Sequence, residues 1–343
     1  MSETKEITIY DIAKALDIST ATVSRGLQGK NSVTDKTRKK ILDKAKELGY
    51  RPNNFASNLR NSKTHTIGVL VHELRSTFMV SVLSGIEKVT AETKYDILIA
   101  HSAESGAKEV ASANNLFHKR VDGLIASLAF DTPDLAHFDQ FINKKIPIIF
   151  FDRVEENLQG TKVIIDNFKA GYQVTKHLIE QGCKRIAHIT GPLKRNVFDQ
   201  RFKGYLAALK EHNIKYDDKL LKVTTLDISG RIAAAQQLIQ LKKRPDGLFT
   251  TNDFSAAICI QIFKKAGLRV PEDIAVAGFN NDAVSTIVEP NLTTINYSGF
   301  NMGETAARML MGHLNGTIDI NNTSTVILNA ELIVRESTRR KKV

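Results

Sequence analysis

Between Thr8 and Gly49 the apolar residues recur three and four apart, the spacing of one face of a helix. Thr8, with Asp11 three residues later, has the form of a capping box, and Ile12, Ala13 and Leu16 follow as an apolar stripe. Asp17 interrupts the stripe, and Ser19 is placed to cap a second helix from Thr20 to about Leu27. Thr34 and Asp35 open a third, which carries Ile41, Leu42, Ala45 and Leu48 on one face. Gly49 stops it, with Pro52 just beyond. The pattern predicts three short helices around about ten apolar side chains, a minimal core. Residues 53–63 are polar apart from positions 55, 56 and 59. So short a helix is unstable alone in water, so the segment reads as a linker that becomes helical when bound.

From Ile67 onward, apolar runs alternate with amphipathic stretches. The runs Ile67–Val71, Ile97–Ala100, Gly123–Ala126, Ile148–Phe151, Arg185–Ile189, Gly247–Thr250 and Ile274–Gly278 predict strands. Between them, residues 78–92, 108–119, 169–181, 198–212, 230–241 and 254–266 predict helices. Such alternation gives parallel sheets covered by helices. An internal echo divides this region in two. Arg120-Val-Asp-Gly-Leu-Ile-Ala-Ser127 recurs as Arg244-Pro-Asp-Gly-Leu-Phe-Thr-Thr251, and Ile146-Pro147 recurs at the same offset as Val270-Pro271. Two similar α/β lobes explain this better than one large sheet. A cleft between them, at the carboxyl ends of the strands, is a natural small-molecule site.

Charge sharpens the division. The net charge is +11, and residues 1–66 hold 13 Lys and Arg against 7 Asp and Glu. The last four basic residues, Arg339, Arg340, Lys341 and Lys342, account for most of the remainder. A polyanion is the implied partner of the first segment. The two cysteines, Cys183 and Cys259, lack metal spacing, and no apolar run approaches the roughly 20 residues that span a bilayer. With no secretory signal before the first helical pattern, the expectation is a reduced, cytoplasmic protein.

Thr8-Ile-Tyr-Asp-Ile-Ala-Lys-Ala-Leu-Asp-Ile-Ser-Thr-Ala-Thr-Val-Ser-Arg25, continuing to Leu48-Gly-Tyr-Arg-Pro-Asn53, resembles the DNA-binding headpiece of the LacI/GalR family. Ala56-Ser57-Asn58-Leu59-Arg60 resembles the family hinge, and Ile67-Gly-Val-Leu-Val71 the first strand of its sensing core. The resemblance runs to Val334-Arg-Glu-Ser337. It implies a small all-α helix-turn-helix headpiece at 1–52, a hinge at 53–65 and a two-lobed, periplasmic-binding-protein-like α/β core at 66–343. By that analogy Thr20, Ala21 and Arg25 face base edges, while Ser19, Thr22 and Ser24 meet phosphates. Ile18 and Val23 would hold the second helix on its core. Leu59, with Ala56 beside it, would enter the minor groove and unstack a base step; the alternative is a leucine packed on the core.

In the core, the resemblance places effector-binding residues at the lobe interface. These are Phe78, Asp152, Arg153, Arg201, Asn252, Asp253 and Asn280, with Arg195 matching the purine-sensing branch at one more position. Each has the alternative of a structural polar group at a strand end. Four features depart from the family pattern: Asp17 in the turn, Gly26 inside the second helix, Arg75 and Thr77 in the cleft-entry loop, and Asn280 in place of an acidic ligand. Asp tolerates a left-handed turn, whereas glycine in a helix costs up to about 1 kcal/mol.

An enzyme is the first competing class, and none of the phosphate-loop, dinucleotide, zinc-helix or nucleophile-elbow motifs occurs. The histidines, among them His72, His101, His118, His177 and His188, are scattered. A solute-binding protein is the second, and it would have no use for a basic headpiece. The expected protein is therefore a repressor without cofactor or metal. It binds a pseudo-palindromic operator as a homodimer and is controlled by a sugar or sugar derivative, with a purine corepressor as the alternative.

Overall fold

Local capping and a handful of apolar contacts fix the first part of the molecule. The computed structural model describes residues 7–29, 32–51, 63–155, 160–320 and 325–340, so Ala56 and Leu59 lie outside the described residues. The chain divides into two units, Met1–Thr64 and His65–Val343. In the first, α1 (Ile9–Leu16), α2 (Thr20–Leu27) and α3 (Asp35–Glu47) enclose Ile12, Ala13, Val23, Ile41 and Ala45. The Thr8 N–H and hydroxyl both donate to the Asp11 carboxylate, at 2.8 and 2.7 Å, closing the expected cap. Asp17 adopts the left-handed conformation between α1 and α2, with φ 50°. Leu42 corrects the expected stripe: it is 46% exposed, because the buried face of α3 runs through Ile41 and Ala45.

The second unit holds two parallel sheets. Lobe 1 contains β1 (Thr66–Val71), β2 (Asp96–His101), β3 (Gly123–Ala126), β4 (Ile148–Phe151), β5 (Thr161–Ile165) and β11 (Thr325–Leu328), in the order β11-β5-β4-β3-β1-β2. Lobe 2 contains β6 (Ile186–Thr190), β7 (Leu221–Val223), β8 (Gly247–Thr250) and β9 (Ala275–Ala277), in the order β7-β6-β8-β9. A two-stranded antiparallel ribbon, β10 (Thr294–Asn296) with β12 (Glu331–Ile333), completes the strands. Because strand side chains alternate, Val69 and Val71 face a core that continues into lobe 2 through Ile186 and Phe249, while Leu70 faces a separate layer with Phe138 and Phe150.

The helices are α4 (Thr77–Thr93), α5 (Gly106–His118), α6 (Asp139–Asn143), α7 (Asn167–Glu180), α8 (Asn196–Glu211), α9 (Ile228–Ile239), α10 (Asp253–Lys265), α11 (Val284–Ile287) and α12 (Gly299–Leu314). In each lobe one helix pair crosses backbone to backbone. A side-chain carbon on Gly303 of α12 would lie 2.0 Å from the Val82 carbonyl oxygen of α4, and one on Gly204 of α8 2.1 Å from the Phe168 carbonyl oxygen of α7. Only glycine allows approaches that close.

The repeat in the sequence is a repeat in space: β2-β1-β3-β4 matches β7-β6-β8-β9. Its aspartates do the same work. Asp122 accepts from the His65 N–H at 2.8 Å, and Asp246 accepts from the Lys184 and Arg185 N–H groups at 2.9 and 2.7 Å, fastening the start of each lobe's first strand. The lobes are not two consecutive segments, however. The chain passes to lobe 2 after β5, returns at α12 to pack against α4, adds β11 to the edge of lobe 1, and leaves again. Strands β5, β7, β10, β11 and β12 and helix α12 had not been expected from the pattern.

Candidate nucleic-acid interface and effector cleft

Helix α2 separates its two jobs by face. Val23 and Gly26 are buried, and Ile18 packs partly against them. Thr20 and Ser24, and Ala21 and Arg25, are each four residues apart and so line a common stripe on the other side. Arg25 is exposed, and no hydrogen bond or ion pair engages it among the described residues. Ser19 caps the helix, its hydroxyl accepting from the Thr22 N–H at 3.2 Å and lying 2.8 Å from the Thr22 hydroxyl. The first turn carries no acidic side chain, which leaves a helix N-terminus open to an anion. Gly26, costly on sequence grounds, has a physical reason: a Cβ there would meet Ile41 Cδ1 at 2.5 Å. The short donor-bearing side chains at the front of α2 and the long one at Arg25 fit a major groove.

In the second unit, the predicted residues converge where the carboxyl ends of the two lobes' strands meet. Arg201, buried on α8, donates Nε to Asn167 Oδ1 at 2.8 Å and Nη1 to the Thr251 carbonyl at 3.0 Å. Its guanidinium lies 3.6 Å from the centre of the Phe279 ring, a cation–π contact out of water. Tyr297 packs at 5.6 Å from Phe279 and 4.6 Å from Phe78, which links α4 of lobe 1 to the row. Asp152 follows β4 with φ 56°, and its carboxylate lies 3.5 Å from the Tyr297 hydroxyl. Burial raises its pKa, partly offset by Arg153 and Arg201. Arg153 pairs with Glu104 at 2.6 Å. His72 sits 3.1 Å from the Ser127 hydroxyl, and burial, followed by the charge of Arg153, pushes its pKa well below the usual value, so the ring is neutral.

The remaining predicted residues are engaged with other protein groups. Asn252 caps α10, accepting from the Ser255 N–H at 2.8 Å. Asp253 is fully buried and accepts from the Thr294 hydroxyl at 2.6 Å and the Asp282 N–H at 2.7 Å; burial pushes its pKa up to about 8. Asn280, at φ 110°, donates to Asp282 at 3.3 Å. Arg195 is buried with all three guanidinium nitrogens bonded to protein acceptors.

Several site residues escaped the sequence. Asp282 accepts from the Thr77 hydroxyl across the lobes at 2.6 Å, so a carboxylate stands two residues from the atypical Asn280. Thr190 and Thr251, at the carboxyl ends of β6 and β8, have buried hydroxyls without a hydrogen-bond partner among the described residues. Their position just after an apolar strand was the only available signal. Among the described residues no three His, Cys, Asp or Glu side chains gather as a metal site requires, and no helix is long and apolar enough to cross a membrane.

Known proteins share both regions. Residues 8–53 match the family described as bacterial regulatory proteins, lacI family, and residues 175–338 match the periplasmic binding protein-like domain. Catabolite control protein A of Priestia megaterium is 32% identical over 335 residues, 97% of this chain and 99% of that protein. The HTH-type transcriptional repressor CytR of Escherichia coli is 30% identical, covering 97% and 96%. The lac repressor dimer bound to operator and an anti-inducer superposes with a TM-score of 0.86 over 97% of this chain and 99% of that one; at 24% identity this shows the fold. A complex of the regulator CelR with cellobiose is 28% identical, with a TM-score of 0.73 and coverage of 97% and 100%. The chain belongs to the LacI family of bacterial regulatory proteins, DNA-binding regulators of transcription.

Proposed function

We propose that this regulator is a cytoplasmic repressor whose effector, a sugar or sugar derivative, binds between the two core lobes. The observation that carries the reading is the aromatic row Phe78, Tyr297 and Phe279, with Arg201 over Phe279, together with the unpartnered hydroxyls of Thr251, whose carbonyl Arg201 bonds, and of Thr190 at the end of the neighbouring strand. Aromatic faces and buried hydroxyls suit a ring carrying several hydroxyl groups. Phe78, Asp152, Arg201, Asn252 and Asn280 line the site, while Arg153, Arg195 and Asp253 hold its walls. Work at both ends of the chain is binding, with no catalytic step. The DNA partner supports the cytoplasmic location.

Base edges are read by Thr20, Ala21 and Arg25, phosphates are met by Ser19, Thr22 and Ser24, and Leu59 beside Ala56 enters the minor groove. Domain bounds of 1–52, 53–65 and 66–343 follow from this assignment. The cores pair through exposed apolar positions: Val80 on α4, Leu98 and Ile99 on the edge strand β2, and Phe254 and Ile287 on lobe 2. An edge strand of this kind asks for a cover.

Selection of binding sites from random duplex DNA tests the first half. A palindrome of about 14–20 base pairs with a central pyrimidine–purine step is expected; sequence-blind, salt-sensitive binding overturns it. Thermal-shift measurements against panels of sugars and purine bases test the second. Stabilisation by a sugar is expected, and stabilisation by a purine alone selects the corepressor reading instead.

A further inference from the structure

The chain joins the two lobes at three places: between β5 and α7, between β10 and α12, and between β11 and β12. Side chains add further ties, among them the Thr77–Asp282 and Tyr297–Asp152 contacts, and the most extensive gathers on three consecutive residues. Lys194 and Arg195, between β6 and α8, and Asn196, the first residue of α8, reach from lobe 2 to the loops that follow β3 and β4 in lobe 1. Arg195 donates Nε to the Phe130 carbonyl at 3.2 Å, Nη2 to the Thr132 carbonyl at 3.0 Å and Nη1 to the Glu155 carboxylate at 2.9 Å. Lys194 Nζ donates to the same Thr132 carbonyl at 2.9 Å. Asn196 works in both directions, donating to the Asp152 carbonyl at 3.1 Å and accepting from the Val154 N–H at 3.0 Å. Arg153 of lobe 1 completes the contact, with its guanidinium 4.4 Å from the Phe130 ring centre and 5.4 Å from that of Phe198 on α8.

The receiving strap is itself fastened. Glu109 on α5, fully buried, accepts from the Ala129 N–H at 2.6 Å and the Thr132 hydroxyl at 3.1 Å, and lies 3.1 Å from His137 Nε2. Thr132 therefore presents its carbonyl to lobe 2 from a fixed position. Separating the lobes would strip a buried guanidinium of three acceptors at once, so the tie holds or lets go as a unit.

We propose that Lys194-Arg195-Asn196 is a clamp that closes lobe 2 on lobe 1 without any ligand, setting the resting conformation on which the effector acts. Arg195 is then a positioning residue rather than an effector contact, whichever small molecule fills the cleft. An effector that needed its guanidinium would first have to pull it from Phe130, Thr132 and Glu155.

Hydrogen–deuterium exchange on the full-chain protein, free of DNA and effector, tests the clamp. In the wild type, the Val154 amide and the strap 128–133 are expected to be protected. Asn196→Ala removes two of the bonds and leaves no buried charge, and Arg195→Ala removes three. Each is expected to speed exchange at Val154 and the strap at least tenfold while leaving β1, β6 and the headpiece helices unchanged. Protection already missing in the wild type overturns the proposal. So does unaltered exchange in Asn196→Ala, or acceleration spread evenly over both lobes, which would mark a general loss of stability. If Arg195→Ala does not fold, the Asn196→Ala pattern decides alone.

Discussion

The headpiece and the core place function on opposite sides of their own packing. In the headpiece, five buried side chains hold three helices, and the residues assigned to DNA stand outside that core. In the lobes the assigned residues are inside: Arg201 stacks on Phe279, bonds Asn167 and Thr251, and helps hold the structure that positions it. An exposed reading face can change without unfolding its support, whereas a buried site is part of its own scaffold.

The strongest test of that contrast is to attack packing alone. Gly303→Leu is expected to destabilise the core by at least about 3 kcal/mol in chemical denaturation, since overpacking here meets backbone rather than a movable side chain. A loss below about 1 kcal/mol would show the α4–α12 crossing to be loose. Next come the two arginines. Arg25→Ala is expected to leave the denaturation midpoint unchanged and to cost about 1–3 kcal/mol of operator binding, with a smaller loss on random DNA. Arg201→Ala is expected to lower core stability by about 2–4 kcal/mol, because Asn167 and the Thr251 carbonyl lose their donor. Equal behaviour of the two variants would erase the distinction between the regions.

A smaller effect comes from acid. Burial pushes the pKa of His188 down to about 3 from an ordinary 6.5, so only the unfolded chain takes its proton in between. The contribution is intact above pH 6.5 and is lost as pH falls toward 3, at up to about 1.4 kcal/mol per pH unit. His72 acts in the same direction. Burial lifts the Asp253 carboxyl to about 8, which acts in the opposite sense, so the histidine contribution is read as a difference: between pH 7.5 and 5 the urea midpoint of the wild-type core should fall relative to that of His188→Phe. The first 64 residues contain no histidine, so the headpiece should show no such loss. The smallest expected effect is Gly26→Ala, at about 1 kcal/mol or less, because helix propensity offsets part of the clash with Ile41. Combined with Ile41→Val, which removes the clashing Cδ1, it should cost less headpiece stability in chemical denaturation than the two single changes added together; plain additivity would put the cause elsewhere.

The sequence made the headpiece legible almost to the residue, because caps such as Ser19 and Thr34 and the spacing of Ile12, Val23 and Ile41 are local signals. The parallel strands β1 to β4 of lobe 1 and β6, β8 and β9 of lobe 2 were legible too, as largely apolar runs, whereas β5 was not, and the paired Asp122 and Asp246 announced the repeat. Strand β11, with its alternating exposure, and the short β7 and β10 were not, since what makes them strands is a partner far along the chain. The same holds for the cleft. Resemblance named Arg195, but nothing in its neighbours said that its donors would meet carbonyls of the other lobe, and Asp282 gave no sign of reaching Thr77.

The return of the chain to lobe 1 has a consequence during synthesis. Helix α12 and strand β11 supply part of the first sheet's packing and its edge, yet they leave the ribosome after every strand of lobe 2's sheet. Domains fold as units, with N-terminal ones first, and here only the headpiece has all its parts early. Lobe 1 must wait with the α4 surface around Val82 and Gly85 uncovered until residues beyond Gly299 emerge. A truncated nascent chain therefore carries a DNA-binding module before it carries a finished sensor.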